Sequence, residues 1–133
     1  MISYKKRKKY KYDLVEDYSY QTANIEISED ADLGLLKFDT SGLLIIKKGY
    51  AWDGPSGPTF DTKNFMRGSL VHDALYQLMR EKKIGQDQKK RADEILREIC
   101  LASGMSKIRA WWVYQGVKIG GKSSAKPDTL HAP

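Results

Sequence analysis

The residues best suited to chemistry are His72, Asp73, Tyr76 and Asp93, with Asp53 upstream of them. His72 and Asp73 sit in a run whose apolar residues recur at three- or four-residue steps, which places both on one helix. Neighbours on a helix point about 100° apart, so this imidazole and this carboxylate face adjacent directions rather than each other. Tyr76 lies one turn on from His72, on the same face. Asp93 stands beside the apolar stripe of a second helical run. If the two helices pack antiparallel across the short Lys82–Gly85 connection, Asp93 returns to the level of His72. A neutral His with one ring nitrogen held by a buried carboxylate is a general base of fixed tautomer. Asp53 and Asp73, with carbonyls from the rigid loop Trp52-Asp53-Gly54-Pro55-Ser56-Gly57-Pro58, make an oxygen-only donor set suited to calcium. A base and a calcium ion together would deprotonate water and polarise an ester carbonyl.

Each piece also has a plain structural reading. His72 is then a hydrogen-bonded core residue and Asp73 a solvated charge. Asp93 would pair with Lys89 or Arg97, four residues away on its own helix. The loop would be a turn between two layers. The chemical reading requires all of these pieces to meet in one place.

The elements that must position them follow from the pattern. Up to about residue 50 the chain reads as strands. Tyr10, Tyr12 and Leu14 alternate with Lys11, Asp13 and Val15, and Ala23, Ile25 and Ile27 alternate with Asn24, Glu26 and Ser28. From Leu33 to Tyr50, two β-prone runs flank Asp39-Thr40-Ser41-Gly42, which predicts a hairpin. The Pro- and Gly-rich loop then joins a β half to an α half. The first helix starts from Asp61 or Thr62 as N-cap, carries Phe65, Ser69, His72, Tyr76 and Met79 on one side, and stops at Lys82-Lys83-Ile84-Gly85. The second begins near Gln86, has Ala92, Ile95, Leu96, Ile99 and Leu101 as its apolar side, and stops at Gly104. The third begins near Ser106 and runs through Ile108, Trp111, Trp112, Gln115 and Ile119 to Gly120-Gly121. The whole reads as one α+β domain over residues 1–133: a basic arm (1–12), a β half (13–50), a loop (51–61), a helical half (62–120) and a flexible tail (121–133).

Charge and cysteine content narrow the classes. The 133 residues carry a net charge of +6. Residues 1–12 hold six basic residues and no acid, which leaves 17 basic groups to balance all 17 acids in the rest of the chain. The excess is therefore an appendage on a neutral body. Cys100 is the single cysteine, which excludes an intrachain disulfide, and with two His it excludes a structural zinc site of the Cys/His type. Such a chain suits a reducing compartment. No run of apolar residues is long enough to span a membrane, and the basic start lacks the apolar segment of a secretory signal. The expected location is cytoplasmic or virion-associated.

Here the motifs carry a resemblance. The order Asp53-Gly54-x-Ser56-x-Pro58, Phe60-Asp61, His72-Asp73-x-x-Tyr76 and Asp93 resembles phospholipase A2, above all the small bacterial secreted type. The likeness spans about residues 50–120 and takes in Ala110-Trp111-Trp112-Val113-Tyr114-Gln115-Gly116-Val117-Lys118-Ile119-Gly120. It implies a bundle of three helices of the phospholipase A2 type after the N-terminal β-hairpins. It implies His72 as the base that activates water, Asp93 as acceptor of its other ring N–H, and Tyr76 bonded to Asp93. It implies calcium held by Asp53, Asp73 and the Gly54 carbonyl, stabilising the oxyanion at the sn-2 ester of a phospholipid. The chain departs from that family where Ser69 stands in place of a cysteine, in having no disulfides, and in lacking the full glycine-rich calcium loop. The chain also looks like a little-characterised family of small phage and bacterial proteins that joins a β-rich N-terminus to the same Asp-Gly-x-Ser and His-Asp-x-x-Tyr signatures.

Two further classes stand beside the esterase. One is a catalytically silent scaffold or assembly protein, for instance a phage virion or tail component, favoured by the unmatched β half and the basic arm. The other is a nucleic-acid binder using that arm, which lacks the support of a basic recognition face on the helices. Lys5 to Lys11 would equally contact an anionic membrane surface, a nucleic-acid backbone or an acidic partner protein. Trp52, Phe60, Phe65, Trp111 and Trp112 read as core or as the lining of an acyl channel. A hydrogen bond from His72 Nδ1 to Asp93, with Asp53 and Asp73 oxygens converging on one point, is the geometric mark of the enzyme reading, whereas carboxylates pointing to separate patches of solvent would leave the scaffold.

Overall fold

The computed structural model describes residues 4–6, 12–52 and 63–120. Short strands come first and three helices follow, which is the expected α+β order. The strands are β1 (Tyr4–Lys6), β2 (Tyr12–Leu14), β3 (Tyr18–Gln21), β4 (Ala31–Asp32), β5 (Leu36–Phe38), β6 (Leu43–Ile46) and β7 (Ala51–Trp52). The helices are α1 (Lys63–Arg80), α2 (Lys89–Ala102) and α3 (Lys107–Gly120), with a 3-10 turn at Gln86–Gln88 leading into α2. The proposed N-caps Asp61 and Thr62, the loop from Asp53 onward, most of the basic arm and the 121–133 tail lie outside the described residues.

All strand pairs are antiparallel and form two sheets, β1-β2-β7 and β3-β6-β5-β4. The expected hairpin is β5–β6, with Phe38 opposite Leu44 and Leu36 opposite Ile46. Its turn is closed by Asp39, whose carboxylate accepts from the backbone N–H groups of Ser41 and Leu43 and from the Ser41 hydroxyl. Gly42 takes φ +88° there, and a Cβ at that point would lie 2.8 Å from Thr22 Oγ1, so the position requires glycine.

One core joins the β half to α1 and α2. Tyr12, Leu14, Leu36, Phe38, Leu44, Ile46 and Trp52 pack in a single cluster with Leu70, Leu75, Met79, Ile95 and Ile99. Helix α1 is buried on nearly every side because the β half covers one face and α2 the other. On α2 the buried positions Ala92, Ile95, Leu96 and Ile99 follow the helical period, while Leu101 is exposed rather than part of the stripe. The helices run antiparallel, since Tyr76 and His72 meet Asp93 while Gly68 meets Leu96 and Cys100. A Cβ on Gly68 would lie 2.9 Å from Leu96 Cδ1 and 3.0 Å from Cys100 Sγ, so glycine sets how closely the pair approaches. Cys100 is a buried free thiol, pushed up to about 12 by that burial.

Several sequence expectations are corrected. Residues 4–6 are not simply an arm: they form β1, with Tyr4 opposite Leu14 and Lys6 opposite Tyr12. The alternation from Ala23 to Ser28 does not make a strand. Asn24 takes φ 63°, and the segment bonds to side chains of the 3-10 turn and of α2 instead of a ladder. Glu26 N–H donates to Gln88 Oε1 at 3.0 Å, and Arg91 Nε donates to the Ala23 carbonyl at 2.7 Å. Ile25 still reaches the core, so an extended segment shows strand periodicity without strand pairing.

Helix α1 does not stop at Gly85. Lys82 takes the left-handed conformation at φ 62°, with Lys83 N–H bonded to Leu78 O and Lys82 N–H to Met79 O. Gly104 ends α2 as expected, through the same pattern of bonds from Met105 to Cys100 and Gly104 to Leu101. Ser106 caps α3, its hydroxyl accepting from Arg109 N–H at 3.2 Å.

The third helix buries the opposite side from the one its large residues suggest. Ala110, Val113 and Val117 pack on a second cluster of Phe65, Leu96, Cys100 and Met105. Ile108, Trp111, Trp112 and Ile119 are exposed. The small Ala110 allows α3 to seat closely, which the indoles would prevent. No helix of the described residues is long and apolar enough to cross a membrane.

Candidate functional site

The site lies where α1, α2 and the end of α3 meet. His72 Nε2 is 2.7 Å from Asp93 Oδ1, with the two side chains 8% and 2% exposed. Tyr76 donates its hydroxyl to the same oxygen at 2.6 Å. The Tyr76 ring lies one turn along α1, its centroid 4.1 Å from that of His72. Lys89 Nζ takes the other oxygen, Asp93 Oδ2, at 2.7 Å. It also bonds the Val117 and Lys118 carbonyls at 3.3 Å each, in the last turn of α3, where the helix dipole favours a cation.

The electrostatics follow from these contacts. Burial pushes the Asp93 carboxyl up, but hydrogen bonds from His72, Lys89 and Tyr76 outweigh it and hold the group below the ordinary carboxylate range. Burial also raises the Tyr76 phenol, and the Asp93 acceptor and the Asp73 charge add to that rise. Tyr76 is therefore a fixed hydrogen-bond donor. An ionised carboxylate only accepts, so the proton of a neutral His72 sits on Nε2 and the lone pair on Nδ1. The expected contact used Nδ1. The observed one uses Nε2, the distal nitrogen, because the ring must reach across from α1 to α2.

The sequence-based residues separate cleanly. His72, Tyr76 and Asp93 are brought together. Asp73 is half-buried on α1, close enough for its charge to act on Tyr76. Asp53 and Gly54 lie outside the described residues. Among the described residues no group of three or more His, Cys, Asp or Glu is placed to hold a metal ion. The donor set proposed for calcium has the right chemistry, all oxygen, with Asp73 its one described member.

Lys89 plays a larger part than that of a plain alternative partner of Asp93: it binds Asp93 together with His72, not in place of it. The signal was its spacing of four from Asp93. The position occupied by cysteine in the resembled enzymes also has a local explanation. Ser69 Oγ donates to the Met66 carbonyl at 2.9 Å and accepts from Trp52 Nε1 at 3.1 Å. That bond pins the last residue of β7 to α1, one turn before His72.

A mixed α+β chain with a buried His–Asp pair between two antiparallel helices is the class that fold and site define. The chain belongs to the family described as protein of unknown function (DUF1353), whose sequence model matches residues 32–117. That span includes His72, Tyr76, Lys89 and Asp93. No curated protein and no solved structure matches the chain.

Proposed function

We propose that this chain is a phospholipase A2-like ester hydrolase in which His72 activates water for attack on a phospholipid ester. The observation that carries this reading is the 2.7 Å contact between His72 Nε2 and a buried Asp93 whose oxygen is also fixed by Tyr76. With Nε2 occupied, Nδ1 is the nitrogen that takes the proton from water, and Asp93 stabilises the imidazolium that results. Tyr76 and Lys89 hold the carboxylate so that it does not turn away from the ring. Calcium, held by Asp53, Asp73 and the Gly54 carbonyl, would polarise the ester carbonyl. The test is fatty-acid release from mixed phospholipid micelles with calcium. The wild-type chain should hydrolyse them, and His72→Gln should abolish turnover while the chain stays folded. An intact wild-type chain that releases no fatty acid with calcium present sinks the proposal.

A silent scaffold is the second reading, and Lys89 favours it. Because Lys89 already neutralises Asp93, the network of His72, Tyr76, Lys89 and Asp93 is complete as a structural clasp tying three helices. In that reading, such as an assembly component of a virion or tail, His72→Gln changes stability and there is no turnover to lose.

A further inference from the structure

Helix α3 is apolar on both faces, and among the described residues only one of them is covered. Ile108, Trp112 and Ile119 are 75%, 66% and 74% exposed, and Trp111 is 43% exposed. At about 100° per residue, Ile108, Trp112 and Ile119 fall within about 40° of one another, and Trp111 flanks them. They form a stripe about 16 Å long. This is more exposed indole and isoleucine than a solvated helix face needs.

The charges on the same helix select the partner. Lys107 and Lys118 edge the stripe on one side and Arg109 on the other, and α3 contains no acidic residue. Two copies meeting through this face would set cation against cation across a partly dehydrated interface. A surface of negative charge with an apolar interior meets both demands at once. Cations around an indole- and isoleucine-rich face are the pattern of a helix lying in the plane of a bilayer interface. Trp111 and Trp112 pack edge to face, with centroids 5.1 Å apart, and paired indoles suit the headgroup level.

We infer that the outward face of α3, formed by Ile108, Trp111, Trp112 and Ile119 and edged by Lys107, Arg109 and Lys118, docks on the surface of an anionic phospholipid bilayer. This goes beyond hydrolysis, because docking holds whether or not His72 turns over substrate.

The experiment separates the two. The full chain is mixed, in EDTA, with vesicles of ether-linked phosphatidylglycerol and phosphatidylcholine, which contain no acyl ester to cleave. Binding is read by flotation and by tryptophan emission. Trp52 is buried, so the indoles that respond are Trp111 and Trp112. Expected are flotation with the anionic vesicles, a blue shift of emission, and weakening as salt rises. Trp112→Ser with Ile119→Ser should lower the partition coefficient ~10-fold or more with the melting temperature unchanged. Lys118→Glu with Lys107→Glu should weaken binding to anionic vesicles and restore none of it on neutral ones. The inference is overturned by a folded chain that stays with the soluble fraction. It is overturned equally by binding that the Trp112→Ser, Ile119→Ser chain retains in full, which assigns lipid contact elsewhere. A dimer in solution that this double variant converts to monomer shows that a second copy covers the face. Shielding of both indoles from iodide in the monomer shows that a segment of the chain itself does. Either result overturns it.

Discussion

His72 Nε2 and Asp93 Oδ1 stand 2.7 Å apart across the α1–α2 seam, and their chain neighbours Val71, Ala74, Leu75 and Ala92 belong to the apolar core. A carboxylate in such a place is stable only while donors surround it. Asp93 has three, from His72, Tyr76 and Lys89. The seam is thus both the candidate catalytic feature and a polar rivet in the core.

Acid should loosen that rivet first. The native Asp93 carboxyl titrates below its ordinary 3.8, so the folded state favours the ionised form more than the unfolded state does. The stabilisation is whole above about pH 4 and drains away as pH falls through the lower native value. Asp93→Asn should cost ~2–3 kcal/mol at pH 7, since it strands Lys89 and breaks the donor set. Its stability gap from the wild type should narrow below pH 4. Urea unfolding at several pH values measures both, and a gap independent of pH would refute the account.

Lys89→Met should lower stability at pH 7 by ~2 kcal/mol, because Asp93 Oδ2 and the Val117 and Lys118 carbonyls lose their shared donor. The pH of acid unfolding should rise, as the carboxylate has less to hold it ionised. Unchanged midpoints in urea and in acid would mean that solvent replaces the ammonium at no cost.

Much of this arrangement was legible in the sequence, and the misses share a cause. The spacing of His72, Tyr76 and Asp93 about a short connection specified an antiparallel pairing because helix geometry is rigid. The β5–β6 hairpin was legible because Asp39 to Gly42 is a local turn signal. The face of α3 was not, because both faces are apolar and size favoured the wrong one. Close packing on Phe65 and Met105 selected Ala110 and left the indoles outside. Ala23 to Ser28 carries a strand pattern without being a strand because burial alternates in any extended chain, while its partners are Gln88 and Arg91, more than sixty residues away. The nitrogen of His72 that meets Asp93 depends on reach across the seam, which spacing alone does not encode.

Ser69 offers a test of how the β half is attached to the helix that carries His72. Ser69→Ala removes the acceptor of the Trp52 indole N–H, which is buried, and should cost ~1–2 kcal/mol. Trp52→Phe removes the donor as well as the larger ring, so the double variant should cost less than the sum of the singles. Strict additivity in urea would show that the 3.1 Å contact contributes nothing.

The end of α1 holds a residue in an unfavourable conformation, and relieving it should stabilise the chain. Lys82 sits at φ 62° because the bonds Lys83 N–H to Leu78 O and Lys82 N–H to Met79 O require a left-handed residue there. Its side chain is exposed, so little packing is lost by removing it. A non-glycine residue in this region is disfavoured by ~1 kcal/mol, and glycine gives part of that back through the freedom it gains when unfolded. Lys82→Gly should therefore raise stability by ~0.5–1 kcal/mol, or ~2–3 °C in the melting temperature of a chain this size. Gly85, where the sequence placed the stop, has φ −78°, and a Cβ there would clash with Asp87 Oδ1, so exchange with another residue should bring no gain. A Lys82→Gly chain that melts at or below the wild-type temperature would mean that the lysine contributes contacts which offset its backbone strain.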